Sequence, residues 1–269
     1  MYVRGYIILK KSSLTITKGN VMKKLVLATA IFAAFAANFA HAEDAKPEEK
    51  KPDNEVSFNA ALSSDYRFRG VSQSRLKPAL SGGADYTNNP TGFYLGTWLS
   101  TIKWTKDAGG GGDVEIDVYG GKRGEIVPNV SYDIGVLTYY YPSNHLKPNA
   151  NTTEIYGQLG YGPGYIKYSN TLTNAFGFKD SKNSGYLDIG ANIDVPAGFT
   201  VNLHAGHQTI KGNSFYSYTD YKVGVTKDFG FLIGALAIIG TDAKSSAYVT
   251  PSGKNNGKTA LVASISKTF

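Results

Sequence analysis

The sequence predicts an all-β fold: a transmembrane antiparallel up-and-down β-barrel of about 12 strands, with short turns at one end and long loops at the other. Three observations carry this expectation. From Val56 onward the apolar residues recur with a period of two, the spacing of strands that face a different environment on each side. The connections between these segments alternate between short turns and longer polar loops. The chain is framed by an export-like segment near Met22 and by an aromatic last residue, Phe269.

The period-two segments lie at 56–68, 79–87, 93–102, 114–122, 130–141, 153–161, 165–173, 185–195, 199–209, 218–227, 231–241 and 259–269. Residues 88–92, 124–129, 162–164, 196–198 and 228–230 are rich in Gly, Pro, Asn and Asp, the residues that make tight turns. Residues 70–78, 103–113, 142–152, 174–184, 211–217 and 242–258 form longer polar connections. Long and short alternate, so all the short turns fall at one end. Bacterial outer-membrane barrels have this order, with even strand numbers, short periplasmic turns and long external loops. A soluble β-sandwich also has many short strands, but it needs neither two-sided loops nor apolar residues facing outward.

Leu261, Ala263, Ile265 and Phe269 share one face of the last segment, and Ser264, Ser266 and Thr268 share the other. Soluble chains usually fray at their ends, whereas a barrel-closing strand can set its last ring at the membrane interface. Ile265 and Phe269 therefore read as the C-terminal signal for the barrel-assembly machinery. Lys267 shares the parity of Ile265 and breaks the apolar pattern, although near a strand end a lysine can snorkel to the head groups.

At the other end, Lys23 and Lys24 precede an apolar run from Leu25 to Ala37, followed by Ala40-His41-Ala42. This is the layout of a secretory signal peptide cleaved after Ala42. Residues 1–42 form the signal, with Met1 or Met22 as the start. Residues 43–55 are charged and Pro-containing, a disordered periplasmic linker, and 56–269 form the barrel. The formal charge of +7 comes largely from the signal, whose six basic residues have no acidic counterpart. Removing those six from 28 leaves 22 basic against 21 acidic side chains, so the charge gives no argument for a nucleic-acid partner. With no cysteine there is no disulfide framework and no Cys-based metal site or nucleophile.

Alternation assigns faces. Val56, Phe58, Ala60, Leu62, Tyr66 and Phe68 fall on the lipid side of the first strand, opposite Asn59, Ser63, Asp65, Arg67 and Arg69. Leu187, Ile189 and Ile193 oppose Asp188, Asn192 and Asp194. Tyr221, Val223 and Val225 oppose Asp220 and Lys222, and Val114, Ile116 and Val118 oppose Glu115, Asp117 and Tyr119. A basic side chain facing mid-bilayer lipid costs about 2–4 kcal/mol, so the charged sets face the lumen. Tyr139, Tyr140, Tyr141, Tyr216, Tyr218 and Tyr221 lie near loop ends and suit an aromatic girdle.

Asp65-Tyr66-Arg67-Phe68-Arg69-Gly70-Val71-Ser72-Gln73-Ser74 resembles the opening motif of the TorF-type porin family of proteobacterial outer-membrane proteins. The resemblance continues through 78–86, 92–98, 115–121 and 185–188 and spans nearly all of 56–269. It implies an outer-membrane location and a channel role, without supplying the solute.

An enzyme would need a nucleophile in contact with a base. His204 has lumen parity, His207 falls on the opposite face and His145 lies in a loop. His204 and His207 cannot chelate one metal from opposite faces of a strand, and no serine sits in a Gly-x-Ser-x-Gly setting. The Gly-rich run at 109–112 lacks the Gly-Lys-Ser/Thr of a phosphate loop. The sequence thus points to a non-enzymatic barrel with no cofactor or metal. Asp65, Arg67, Arg69, Glu115, Asp117, Asp188, Asp220 and Lys222 fall in the loop-side half and would form a mixed-charge ring, which sets ion preference in pores. The expected function is passive diffusion of small polar solutes or ions across the outer membrane. The alternatives are a closed-lumen structural or envelope-binding barrel, in which these residues pair and plug the lumen, and a membrane-embedded hydrolase. The expected partners are outer-membrane lipids, the barrel-assembly machinery and small solutes; the oligomeric state is not read from the sequence.

Overall fold

The computed structural model describes residues 52–269; the signal peptide and most of the linker lie outside them. The elements in chain order are β1 (Asn54–Ser63), a small hairpin of β2 (Arg67–Phe68) and β3 (Val71–Ser72), β4 (Ala79–Asn88), β5 (Phe93–Thr101), β6 (Val114–Val127), β7 (Val130–Tyr140), β8 (Thr152–Tyr161), β9 (Gly164–Thr171), β10 (Gly185–Val195), β11 (Phe199–Thr209), β12 (Tyr218–Asp228), β13 (Ile233–Thr241) and β14 (Ala260–Thr268). All except β2 and β3 form one closed barrel of 12 antiparallel strands, each paired with its neighbours in sequence. β1 and β14 close it in the register Asn59↔Thr268 to Ser63↔Ser264. Phe58 and Phe269 exchange backbone hydrogen bonds of 3.1 and 2.8 Å beyond that register. Closure leaves no strand edge unpaired.

The period of two explains the wall. Leu95 (58 % exposed), Ile189, Val223 and Leu261 point outward, while Trp98, Asp188, Asp220 and Val262 on the same strands are buried inside. Continuous outward apolar exposure of this kind marks a surface built for a partner or a membrane. The long connections all fall at one end and the short turns at the other. One turn is tighter than expected. β6 runs on to Val127, because Gly124, Glu125 and Val127 find ladder partners in Tyr132, Ser131 and Val130 across a β-bulge. Asn129 takes the left-handed conformation (φ 69°) that the turn requires.

Two expectations are corrected. β1 leaves the wall at Ser63, and Tyr66 and Phe68, expected on the lipid side, are buried in the interior. Of the tyrosines expected in a girdle, Tyr139, Tyr141 and Tyr218 point inward and are buried, and Tyr216 packs in a loop against Phe178 and Tyr248; Tyr140 and Tyr221 face outward. The outward rings gather instead at the turn end, as Phe58, Phe93, Tyr161, Phe199, Phe229, Phe231 and Phe269.

Candidate functional site

The loop-end lumen is organised by the β2–β3 hairpin. Asp65 fixes its base, accepting hydrogen bonds from Ser72 Oγ (2.5 Å), Ser74 Oγ (3.1 Å) and Arg67 Nε (2.6 Å). Arg67 Nη1 donates to the carbonyls of Gly70 (3.0 Å) and Lys258 (2.9 Å). Asp65 and Arg67, expected to line a pore, therefore stitch the hairpin. Arg69 (φ 45°) and Gly70 (φ 79°) both occupy the left-handed region, the two-residue turn that matches the twist of a hairpin. A Cβ on Gly70 would lie 2.5 Å from Thr241 Cγ2 and 2.7 Å from Asp220 Cβ, so the tip sits directly on β12 and β13.

From Tyr66 to Gly70 the hairpin touches strands all round the barrel. The Tyr66 ring lies 5.2 Å from Trp98 on β5, and its hydroxyl donates to Glu115 Oε1 on β6 at 2.6 Å. Phe68 packs against Tyr139 of β7 and Phe176 at 5.3 and 5.5 Å. Arg69 is 2 % exposed. It donates to Glu154 Oε2 on β8 (2.7 Å) and Gln208 Oε1 on β11 (2.5 Å), and its guanidinium lies 4.1 Å over the Tyr186 ring of β10. This bonding satisfies the charge of a buried arginine, which would otherwise be unfavourable inside the barrel. Glu115 and Asp117 are buried beside this layer, and Asp117 Oδ1 accepts no hydrogen bond among the described residues.

A second centre lies on β10–β12. Asp188, Gly206 and Asp220 share one rung. The absent side chain at Gly206 leaves room for the Tyr186 hydroxyl, which a Cβ there would meet at 2.1 Å. His204 bridges the two acids, with Nδ1 2.8 Å from Asp188 Oδ1 and Nε2 2.7 Å from Asp220 Oδ1. Tyr186 donates to Asp220 Oδ2 at 2.9 Å, which joins this cluster to Arg69 through the Tyr186 ring. Lys222 stands opposite His204 in the β11–β12 register. Both imidazole nitrogens face carboxylates, and Nε2 also lies 3.1 Å from the Tyr186 hydroxyl. His207 points outward to Thr219 Oγ1.

Below these layers, towards the turns, charges meet tyrosines. Tyr94 donates to Asp133 Oδ1 and Tyr119 to Asp85 Oδ1, both at 2.6 Å, and the hydroxyls of Tyr94 and Tyr156 touch. Lys167 Nζ lies 3.9 Å over Tyr156. Arg123 lies 5.0 Å over Tyr94 and donates to Thr87 Oγ1 at 3.1 Å. Asp85, Arg123, Asn192 and Lys222 are only half-buried. Of the eight charged residues expected in one ring, Asp188, Asp220 and Lys222 lie on neighbouring rungs of β10–β12, while Glu154, Gln208, Asp133, Lys167 and the inward tyrosines stand beside them without having been singled out by the sequence. Each has inward parity on its strand, and that was the available signal.

A closed 12-strand barrel, apolar outside and charged within, defines a transmembrane-type barrel with the porin fold. The chain belongs to the Gcw_chp family, described as "Bacterial protein of unknown function", whose model matches residues 47–269. Among solved structures it is similar to one titled "KdgM porin", with 7 % identity and a TM-score of 0.50 over 80 % of this chain and 97 % of that one. It is also similar to "NanC porin structure in rhombohedral crystal form", with 11 % identity and a TM-score of 0.52 over 80 % of this chain and 98 % of that one. At these identities the likeness is one of fold, and that fold is consistent with the bacterial outer membrane. No curated protein matches the chain in sequence.

Proposed function

We propose that this protein is an outer-membrane channel of the TorF type, exported by a cleaved signal peptide, that passes small polar solutes or ions by diffusion through a mixed-charge lumen narrowed by the 65–74 hairpin. The observation that carries this reading is the lumen lining below the hairpin, where the half-buried Lys222, at the level of His204, and the half-buried Asp85 and Arg123, nearer the turns, face inward from a wall that is apolar outside. Charged side chains set the ion preference of a pore, and opposed signs orient dipolar solutes. Planar-bilayer recording of the purified protein tests it. Small, stable conductance steps are expected, and silence under conditions where a known porin opens would sink the channel. Liposome swelling with graded solutes then sets the size limit.

A second reading, a barrel with a closed lumen, draws on the hairpin itself, whose Arg69 is held by Glu154, Gln208 and Tyr186. The same recording separates the two: a wild type that is silent, with an Arg69→Ala variant that conducts, identifies the closed barrel. A hydrolase has no support in the His204 geometry, and we read the protein as non-enzymatic.

A further inference from the structure

In the barrel strands every Asp and Glu has inward parity, and the charged side chains of outward parity are three lysines, Lys122, Lys227 and Lys267. All three lie near the turn end, on β6, β12 and β14. Each is held over an outward phenylalanine. Lys122 Nζ is 5.2 Å from the Phe93 ring centroid, Lys227 Nζ is 4.5 Å from Phe199 and 5.6 Å from Phe229, and Lys267 Nζ is 5.7 Å from Phe269. Among the described residues none of them is bound to a carboxylate. A lysine facing lipid is unfavourable at mid-bilayer and tolerated near the interface, and a ring face attracts the ammonium without using up its N–H donors. Towards the loop end the same outward stripes continue as apolar side chains, Val225 after Lys227 and Ile265 after Lys267.

We infer that these three Lys–Phe pairs are binding sites for anionic phospholipid head groups in the leaflet at the turn end. The ammonium takes the lipid phosphate, the phenylalanine ring sits at the level of the glycerol, and the acyl chains run along the aliphatic stripe. The occupant follows from charge complementarity: a belt with three cations and no outward acid suits a phosphate-bearing amphiphile. The inference rests on the membrane placement of the barrel and is independent of conduction.

The test uses the full-length mature protein in phosphatidylcholine vesicles containing a trace of spin-labelled phosphatidylglycerol or phosphatidylcholine, with the protein-restricted fraction read by electron paramagnetic resonance. The wild type should prefer phosphatidylglycerol, weakening in high salt. A K122Q/K227Q/K267Q variant should lose that preference, about fivefold per site from a typical ~1 kcal/mol per lysine at an anionic surface. K122R/K227R/K267R should keep it, and K147Q/K254Q at the loop end should leave it unchanged. Single Lys→Gln variants give the same reading, each with a partial loss, if the triple variant does not fold. Equal restriction of the two lipids in the wild type overturns the inference, as does a preference that survives the triple variant. If the triple variant instead lowers the sedimentation mass of the protein in detergent with lipid preference intact, the belt is a contact between copies and the lipid site is refuted.

Discussion

The two halves of the lumen are lined by the same strands, yet they use their charges differently. At the loop end the ionic groups bind one another or the hairpin, with Tyr66 and Tyr186 added to them: Asp65 with Arg67, Arg69 with Glu154, His204 with Asp188 and Asp220. Towards the turns the acids accept from tyrosine hydroxyls and the cations lie over tyrosine rings, away from the hairpin, and several of these charges stay half-buried. Strand parity tells which side chains face inward. It does not tell whether a loop comes in to meet them, and that difference separates a charged lining from a charged core.

The strongest way to break this comparison is at Arg69. Arg69→Ala leaves Glu154 buried without its ionic partner, a loss of about 3–5 kcal/mol falling on hairpin docking. Single-channel conductance should rise, and the amides of 65–74 should exchange faster by hydrogen-exchange mass spectrometry. If both stay unchanged, the hairpin is not what closes the loop end. Gly70→Ala comes next. It adds a Cβ against Thr241 and Asp220 at a φ of 79°, and backbone strain of about 1–3 kcal/mol should produce the same two changes, more weakly. Lys222→Gln should separate lining from structure: the reversal potential should shift towards cations while hairpin exchange stays at the wild-type rate. Arg67→Gln should do the opposite, since Arg67 holds carbonyls of the hairpin and of the β13–β14 loop.

The smallest effect is expected outside the barrel. Asp113 accepts from Lys103 Nζ (2.7 Å) and Lys106 Nζ (2.5 Å), and these hydrogen bonds lower its pKa from 3.8 to about 2. An acid whose pKa falls on folding stabilises the fold above its unfolded value, and that contribution is lost as pH drops through the folded one. Packing of the 102–113 loop should therefore hold at pH 4 and loosen towards pH 2. Carbon-detected NMR titration of the Asp113 carboxyl checks this, with the midpoint moving up towards 3.8 in K103Q/K106Q.

Most of the wall was legible from the chain because each strand carries its own evidence, an alternation that a bilayer-facing surface enforces residue by residue. The strands starting at Ala79, Phe93, Val114, Val130, Gly185, Phe199 and Tyr218 begin where the period begins. The hairpin was not legible because its alternation continues that of β1: Tyr66 and Phe68 keep the parity of Leu62, and nothing in a period of two marks the departure from the wall at Ser63. The cue was local chemistry. Gly70 in a two-residue turn, with Asp65, Ser72 and Ser74 spaced to bond across the base, describes a hairpin of its own. The His204 cluster failed differently. Its three residues were each placed inward, but the register that brings Asp188, Gly206 and Asp220 onto one rung is a property of paired strands that a single strand does not display.

The strand that carries the hairpin, β1, is also half of the seam. Gly70 rests on β12 and β13 and Ser72 N bonds to the carbonyl of Asn256 at 3.0 Å, and all of these partners belong to the far side of the β1–β14 junction. The interior hairpin and the seam therefore share contacts that are among the most distant along the chain, the kind that is slowest to find. Once formed, the hairpin acts as a stitch through both lips of the closure: reopening the cylinder at β1 would require first pulling Arg69 out of its bonds in the centre.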